Sequence, residues 1–488
     1  MKQIVVIGGG IAGLSAAYTL QKKASQAQHP IQVTVLEAGN TWGGKIVTDR
    51  HEGFVIEGGP DTFLATKPWA VTLCKELGID ESLQGTNPKQ KHTYVLNEGR
   101  LEPLPDGLTM MIPTRFGPMI RTNLLSWMEK ARMGIDFFLP AKEAIGDESL
   151  GGFVSRRLGR AAYEHLIEPL MSGIYAGDGD QLSLMATFPY LRDLEQNYGG
   201  LVKGALAMRR KMSKNGHKAP GSRSAFLTPT TGLAEIVEAL VERLQEMGCE
   251  LNLNTPVQSI QRLEQGYRIY YRSQGGKQGD LHADQIILAT PAYISGDLLA
   301  NLNPALAEDL QKIPYVSTAT VSLAYHEADL GRPLDGYGYV IPRREGRRAL
   351  ACTWTSTKFP HRAPAGYALL RVFIGRAGQE DSMPTDRAGL LELAQEEVRL
   401  TLGIDAQPVY HRVYFWDRAM PQYNIGHPAR LERIEKELQS LPGVFLAGNA
   451  YRGIGIPDCI HSGEQAAEAA LQLELGHQIK PDEKRVAV

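Results

Sequence analysis

The feature of this sequence that most constrains its fold is a glycine-rich corner close to its start. An apolar run at residues 4–7 has the character of a buried strand, and it leads directly into Gly8-Gly9-Gly10-Ile11-Ala12-Gly13. Residues 14–20 continue with helical character, and a second apolar run at residues 33–36 ends at Glu37. This order predicts a βαβ unit with a glycine turn at its first corner.

The glycines of this corner match the pattern G-x-G-x-x-G, in which each glycine has a separate role. One makes the tight turn, one lets the backbone approach a pyrophosphate, and one allows close packing of the helix against the strand. The free N–H groups at the helix start face the phosphates, and Glu37 is placed to accept hydrogen bonds from ribose hydroxyls. Because strand, helix and acid all agree with the pattern, the sequence predicts a dinucleotide site.

Two further glycine clusters indicate which dinucleotide is bound. The sequence holds a single G-x-G-x-x-G, which disfavours a flavin reductase with a separate NAD(P)H domain. Gly43-Gly44 would let the chain pass close to a long cofactor, and the corner from Gly448 to Asp458 offers a second helix N-terminus near Pro457. Backbone N–H groups at that terminus suit negative charge on a reduced flavin, although these glycines could also serve only as caps and turns. FAD is therefore the expected cofactor.

The length and the order of these patterns predict a discontinuous domain. A chain of 488 residues is too long for one hydrophobic core. We expect an α/β fold, in which a Rossmann-like FAD-binding domain is interrupted by a mainly helical inserted domain and by a strand-rich substrate domain. The FAD-binding domain is expected at residues 1–84, 226–294 and 408–476, the helical domain at 85–225, the strand-rich domain at 295–407 and a polar tail at 477–488.

Composition removes several other classes of function. Lys plus Arg (52) nearly cancel Asp plus Glu (54), so overall charge does not indicate a nucleic-acid partner. The four cysteines form no C-x-x-C pair and H-E-x-x-H is absent, so we expect no metal site and no disulfide framework. No apolar run reaches the roughly 20 residues of a membrane-spanning helix. The first strand leaves no room for a signal peptide, and a cytoplasmic protein is expected.

Several motifs resemble those of a known family. The glycine corner, Glu37-Ala38, Gly43-Gly44-Lys45 and Glu57-Gly58-Gly59-Pro60-Asp61-Thr62-Phe63 resemble the amine-oxidase-like FAD superfamily. Within it, residues 168–178 and 453–460 are similar to the protoporphyrinogen/coproporphyrinogen oxidases. Residues 351–355 and 420–423 resemble the Gram-positive-type members, the coproporphyrinogen III oxidases, and the likeness covers residues 1 to about 473.

The resemblance implies a set of cofactor contacts and non-covalent FAD, since the corner at Gly448 lacks the cysteine to which some amine oxidases attach their flavin. Together with the glycine clusters, it gives the following candidates for FAD binding: Gly8, Gly9, Gly10, Ile11, Ala12, Gly13, Glu37, Ala38, Gly44, Lys45, Gly59, Pro60, Asp61, Thr62, Val257, Trp416, Gly448, Ile456, Pro457 and Asp458.

The resemblance also implies a reaction. A porphyrinogen loses six electrons in three flavin cycles. Molecular oxygen accepts these electrons and is reduced to hydrogen peroxide, which is released. Lys67 matches a lysine thought to lie at the active site of Gram-positive-type members, and it is the candidate catalytic residue, though a solvated loop lysine is an equal alternative. Plant and animal relatives have a carboxylate-binding arginine where this chain has Thr93, which disfavours protoporphyrinogen IX as substrate.

Substrate contacts are expected in two places. The family motif at residues 168–178 supplies Ile174, Tyr175 and Gly177. No acid occurs between Gln196 and Ala234, where seven cations, Arg209, Arg210 and Lys211 among them, form either a solvated loop or an electrostatic funnel for a tetra-anionic substrate or an anionic partner.

Three alternatives to a coproporphyrinogen III oxidase stay open. They are a protoporphyrinogen IX oxidase, an amine oxidase or desaturase on the same scaffold, and a flavoprotein that binds porphyrin without turnover. The expected partners are the porphyrinogen, oxygen and a downstream enzyme of the ferrochelatase type, with at most peripheral contact to a membrane.

Overall fold

A parallel sheet of five strands forms the centre of the molecule. In the computed structural model, which describes residues 1–90, 92–109, 112–113, 115–143, 146–214, 224–273 and 275–475, the strands lie in an order that puts the first one in the middle. From edge to edge they are Glu250–Asn252, Ile31–Leu36, Lys2–Ile7, Gln285–Leu288 and Val444–Leu446. All neighbours in this sheet are parallel.

The central strand is apolar from Ile4 to Ile7, where both of its faces are covered. Ile4 and Val6 pack into a core shared with four helices: Ile11–Gln26, Pro68–Leu77, Ala234–Glu246 and Ile456–Leu475. Val5 and Ile7 face the opposite core. That core is closed by three helices and a three-stranded antiparallel sheet: Ala292–Leu299, Pro304–Gln311, His427–Leu438, and Val257–Arg262 with Tyr267–Arg272 and Gln278–Ala283.

A larger, mixed sheet of seven strands forms a second unit. Its order is Tyr410–Pro421, Tyr315–His326, Tyr367–Ile374, Ala349–Trp354, Gly336–Val340, His92–Asn97 and Arg100–Pro103. The pair Gly336–Val340 and His92–Asn97 is parallel and the others are antiparallel. Helix Arg387–Leu402 contributes Leu390 and Val398 to the core on this sheet.

The third unit is built from short helices around one apolar core. They are Phe116–Arg121, Trp127–Gly134, Leu150–Leu158, Arg160–Ala162, Glu168–Tyr175, Leu184–Thr187, Pro189–Tyr198 and Leu201–Lys214, with a π-helical turn at Tyr163–Ile167. A buried ion network ties them together, in which Arg157 Nε donates to Asp136 Oδ1 at 2.6 Å. Small antiparallel pairs complete the fold: Thr48–His51 with Phe54–Glu57, Leu108–Thr109 with Ile112–Pro113, and Phe226–Pro229 between Phe63–Leu64 and Leu83–Gly85.

The α/β fold class with a Rossmann-like domain is confirmed, but the seven-stranded sheet draws on more of the chain than we expected. Residues 92–103, assigned from sequence to the helical domain, form one edge of this sheet. Strand Tyr410–Pro421, assigned to the FAD-binding domain, forms the other edge. The physical reason is that strand pairing joins segments hundreds of residues apart, which local patterns do not register. Within the described part of the chain, no helix combines the length and apolarity needed to cross a bilayer.

Candidate functional site

The glycine corner lies at the carboxyl end of the central strand, where the sheet changes its winding direction. Gly8 has a φ of +112°, a left-handed conformation that favours glycine, and its N–H donates to the Leu36 carbonyl at 2.8 Å. A Cβ atom on Gly13 would lie 1.9 Å from the Gly8 oxygen, so the helix packs too closely for any side chain there. At Gly10 a Cβ would meet nothing within 4 Å. The helix therefore packs closely against the backbone at Gly8, whereas the space beside Gly10 is open.

Glu37 stands beside this opening. The Gly9 N–H donates to its Oε2 at 2.6 Å, and the Gly39 N–H donates to its Oε1 at 2.6 Å. Because a carboxylate has about four lone-pair sites, two remain for further donors such as ribose hydroxyls. Ala38, next to it, is exposed.

The loop after Glu37 runs alongside the corner. The Gly43 N–H donates to the Gly9 carbonyl at 2.8 Å, which brings Gly44 next to the open position. Lys45 follows, and burial lowers the pKa of its ammonium group. Among the described residues Lys45 has no hydrogen-bond or ion-pair partner, while Cys459 of the last helix lies near enough to act on its charge. A desolvated cation without an anion suits a negatively charged ligand.

The segment that leads into the three-stranded sheet is hydrogen-bonded to the backbone at Glu37 and Gly39. The Thr255 N–H donates to the Glu37 carbonyl at 2.8 Å, and the Asn254 N–H donates to the Gly39 carbonyl at 2.8 Å. Val257, half-buried two residues further on, begins this sheet and packs against the core that contains Leu36.

The last helix begins beside the first helix, with Ile456 and Cys459 in the same core as Ile11 and Ala12. The turn before it is fixed by the last residue of the motif 420–423, to which the sequence analysis assigned no role. Buried Tyr423 donates its hydroxyl hydrogen to the Asn449 carbonyl at 2.6 Å and accepts the Gly453 N–H at 2.9 Å. Gly448 N–H donates to Ser462 Oγ at 3.0 Å. The chain is thus held so that the helix N-terminus at Pro457 is presented at a defined place.

Lys67 lies at this same helix N-terminus. Its Nζ is 2.6 Å from Oδ1 and 2.8 Å from Oδ2 of Asp458. The next turn adds a stacked pair, Trp69 on His461, with ring centroids 4.1 Å apart. Lys67 is therefore ion-paired with Asp458 while its side chain stays 39% exposed, and its catalytic role stays a prediction.

The loop 58–62 lies between the parallel sheet and the seven-stranded sheet. The Gly58 carbonyl accepts hydrogen bonds from Trp416 Nε1 at 2.9 Å and from Thr320 Oγ1 at 2.7 Å. Lys358 Nζ lies 2.9 Å from Oδ2 of Asp61, and this cation, with Arg371, lowers the pKa of the Asp61 carboxyl to about 2 against the opposing effect of burial. Trp416 therefore acts on the loop through the Gly58 carbonyl, which the sequence did not indicate.

The segment with the expected substrate contacts adjoins the same corner. Tyr175 is buried, with its ring centroid 6.2 Å from that of Tyr423, and its carbonyl accepts from Gln422 Nε2 at 2.9 Å. Gly177 packs against Gln422 as well, while Ile174 is 46 % exposed. These three candidates sit where the helical unit meets the corner.

The basic stretch is described only in part. Its first half is a helix, Leu201–Lys214, because an apolar face packs Leu201, Val202 and Ala205 into the helical core. Of the two alternatives, the solvated loop does not describe this half, and the role of the cations in substrate binding stays a prediction. Arg210 is exposed on this helix. The side chains of Arg209 and Lys211, and residues 215–223 altogether, lie outside the described residues.

These positions fit FAD. The corner offers an open space at Gly10, spare acceptor sites on Glu37 and a desolvated Lys45 with no partner among the described residues, and the last helix begins beside it at Ile456. Gly10 with Lys45 matches the pyrophosphate of a dinucleotide, Glu37 matches a ribose, and the helix N-terminus matches the flavin ring.

Comparison with known proteins agrees with this geometry. The family model described as flavin containing amine oxidoreductase matches residues 11–471. The chain is 36% identical over 479 residues to coproporphyrinogen III oxidase of Bacillus subtilis (strain 168), covering 96% of this chain and 98% of that protein. It is 34% identical over 475 residues to the protein of the same name from Staphylococcus aureus (strain NCTC 8325 / PS 47), covering 96% and 99%.

A solved structure shows the same architecture. A crystal structure from Exiguobacterium sp. 255-15, named as a protoporphyrinogen oxidase, superimposes with a TM-score of 0.84 at 34% identity, covering 97% of this chain and 99% of the other. Because the family model and these relatives span nearly the whole chain, this protein belongs to the flavin-containing amine oxidoreductases and is an FAD-dependent oxidase.

Proposed function

We propose that this enzyme oxidises coproporphyrinogen III to coproporphyrin III in haem synthesis. The observation that carries the proposal is the similarity over nearly the full length to two proteins named coproporphyrinogen III oxidase, at 34–36% identity. It is supported by the fit of the corner to FAD and by the absence of an arginine at Thr93.

The overall reaction follows from the chemistry of the two tetrapyrroles. Six hydrogens leave the substrate as six electrons and six protons, and three molecules of oxygen become three of hydrogen peroxide. When bound, FAD supplies a two-electron redox centre, so three rounds complete the oxidation. The task of the chain is to hold the cofactor and substrate in register and to keep water out.

The cofactor would be held non-covalently along the sheet edge. The N–H groups at residues 10–13 and Lys45 would hold the pyrophosphate, Glu37 would accept from the ribose, and Val257 would contact the adenine end. Ile456, Pro457 and Asp458 would contact the flavin, and the N–H groups of Ile456 and Asp458 would stabilise negative charge on the reduced ring. Loop 59–62 would also contact the flavin, with Trp416 holding the loop through the Gly58 carbonyl.

The substrate would enter between the helical unit and the strand-rich sheet. Ile174 offers an exposed apolar contact for the macrocycle, and Tyr175 and Gly177 shape the wall beside Tyr423. Arg209, Arg210 and Lys211 would attract the four propionates from solution. Lys67 would act as part of an ion pair with Asp458, which places an ammonium group at the flavin end of the site and offers a proton-transfer or propionate-binding group.

A comparison of substrates tests the proposal. Purified, FAD-loaded enzyme would be given coproporphyrinogen III and protoporphyrinogen IX under one set of conditions, with porphyrin fluorescence and peroxide both recorded. We expect a higher kcat/KM for coproporphyrinogen III and one peroxide for each pair of electrons. A higher value for protoporphyrinogen IX would establish the second candidate, which the name of the Exiguobacterium structure favours. Turnover of an amine or a carotenoid alone, or binding without turnover, would reject both.

The cellular setting belongs to the same proposal. We place the enzyme in the cytoplasm, with at most peripheral contact to a membrane and with a ferrochelatase-type enzyme downstream. No nucleic acid and no resident metal ion take part in the proposed reaction.

A further inference from the structure

A cluster of buried charges lies behind the loop 58–62, on the side of the seven-stranded sheet. Arg362 Nη1 donates to Glu57 Oε1 at 2.8 Å, and its Nη2 donates to Thr228 Oγ1 at 2.6 Å. Lys358 holds Asp61, as described above. The cations of both ion pairs, Lys358 and Arg362, belong to residues 355–362, so this segment forms one side of the cluster.

Arg371 is the member of this cluster whose bonding is incomplete. It lies in Tyr367–Ile374, an inner strand of the seven-stranded sheet, where it is only 2% exposed, and its Nη2 donates to the Gly59 carbonyl. Within the part of the chain that the structure describes, its Nε and Nη1 have no hydrogen-bond partner. An unpaired donor on a buried cation is costly, so these two nitrogens require an explanation.

A small cavity supplies one. Its volume is about 10 Å³, and its lining includes Arg371, Arg362, Glu57 and Asp61. A space of about 10–15 Å³ with two or more polar partners is what a single buried water needs. Arg371 and two carboxylate residues, Glu57 and Asp61, border this space, so its lining offers both donors and acceptors to a water.

We propose that Arg371 is a positioning residue that holds the loop 58–62 against the cofactor, and that one buried water joins its free N–H groups to Glu57 and Asp61. Three strands of the seven-stranded sheet then donate hydrogen bonds to the carbonyl groups of this loop, from Thr320, Arg371 and Trp416. The loop position is thereby set by the substrate-side sheet. The inference rests on the proposed function in one respect, namely that residues 59–62 contact FAD.

The test measures the Kd for FAD in three variants of the full chain. Arg371→Met removes the fork and the charge, and Arg371→Lys keeps the charge without the planar fork. Arg157→Lys is the matched control, since Arg157 is also fully buried and ion-paired but lies in the helical unit. We expect Arg371→Met to raise the Kd for FAD at least tenfold, which corresponds to about 1.4 kcal/mol. The Kd of Arg371→Lys should lie between those of Arg371→Met and the unmodified protein, and the Kd of Arg157→Lys should equal that of the unmodified protein.

An equal Kd in Arg371→Lys and Arg157→Lys would overturn the proposal, and this pair decides the matter if Arg371→Met does not fold. A high-resolution crystal structure adds a second readout: a water peak within hydrogen-bond distance of Arg371 supports the bridge, and an empty cavity rejects it. Since FAD affinity is measured without turnover, an enzyme that shows the expected Kd changes but leaves porphyrinogens unoxidised would refute the proposed function and not this inference.

Discussion

Replacing Tyr423 by Phe tests whether one hydroxyl group holds the turn before the last helix. The substitution leaves the ring in place, where it stacks on His427 with centroids 4.3 Å apart, and removes only the oxygen that bonds Asn449 and Gly453. Both bonds are part-buried, so the loss of each costs about 1–2 kcal/mol, in the lower half of the range for a backbone group left without its partner. We therefore expect a loss of about 2–4 kcal/mol in stability.

A matched control separates this turn from hydroxyl loss in general. The hydroxyl group of buried Tyr267, in the three-stranded sheet, makes one hydrogen bond among the described residues, to the Pro442 carbonyl at 2.8 Å. Tyr267→Phe should cost about half as much and leave FAD binding unchanged. Tyr423→Phe should lower the thermal midpoint further and also weaken FAD binding, because the two freed backbone groups border the helix N-terminus.

The assay is thermal unfolding with and without added FAD, together with FAD titration by flavin fluorescence. The turn has no such anchor if Tyr423→Phe melts and binds FAD as Tyr267→Phe does. A lower midpoint with an unchanged Kd for FAD would show that the hydroxyl stabilises the fold without shaping the cofactor site.

Three further predictions concern pH, the candidate ion pair and the basic helix. Burial lowers the pKa of both His361 and His427 to about 4, so the folded protein keeps them neutral while the unfolded chain takes up protons from about pH 6.5 downward. Stability should therefore fall between about pH 6.5 and pH 4, and His361→Gln or His427→Gln should make the slope of midpoint against pH shallower; a slope identical to that of the unmodified protein would contradict this. Lys67→Ala should reduce turnover and leave the flavin spectrum intact, with Lys22→Ala, which breaks a surface pair with Glu76, as control; unchanged kinetics would remove Lys67 from the site. Neutralising the three cations Arg209, Arg210 and Lys211 together should raise KM in a salt-sensitive way. An unchanged KM would assign them to a solvated helix face.

The elements that sequence predicted best are those encoded locally. The glycine pattern, the acid at Glu37 and the helix starting near Pro457 each depend on residues within about 30 positions of one another, and the structure has them as expected. Turn chemistry and apolar periodicity act over that range, so a single sequence is enough to read them.

What the sequence did not predict depends on distant pairing. Arg371 reaches Gly59 across 312 positions, and Tyr423 reaches Gly453 across a turn whose path is fixed only in the folded chain. The one available signal was an arginine inside the apolar run 369–373, since a buried charge requires a partner. Sequence showed that a partner was needed and gave no means of choosing it.

The most direct measurement of the central claim is anaerobic reduction of the bound flavin by coproporphyrinogen III. The purified protein should be yellow, its visible flavin absorption should bleach when coproporphyrinogen III is added without oxygen, and admission of air should restore the colour with formation of peroxide. A protein that takes up no FAD, or whose bound flavin stays oxidised in the presence of either porphyrinogen, would contradict the account.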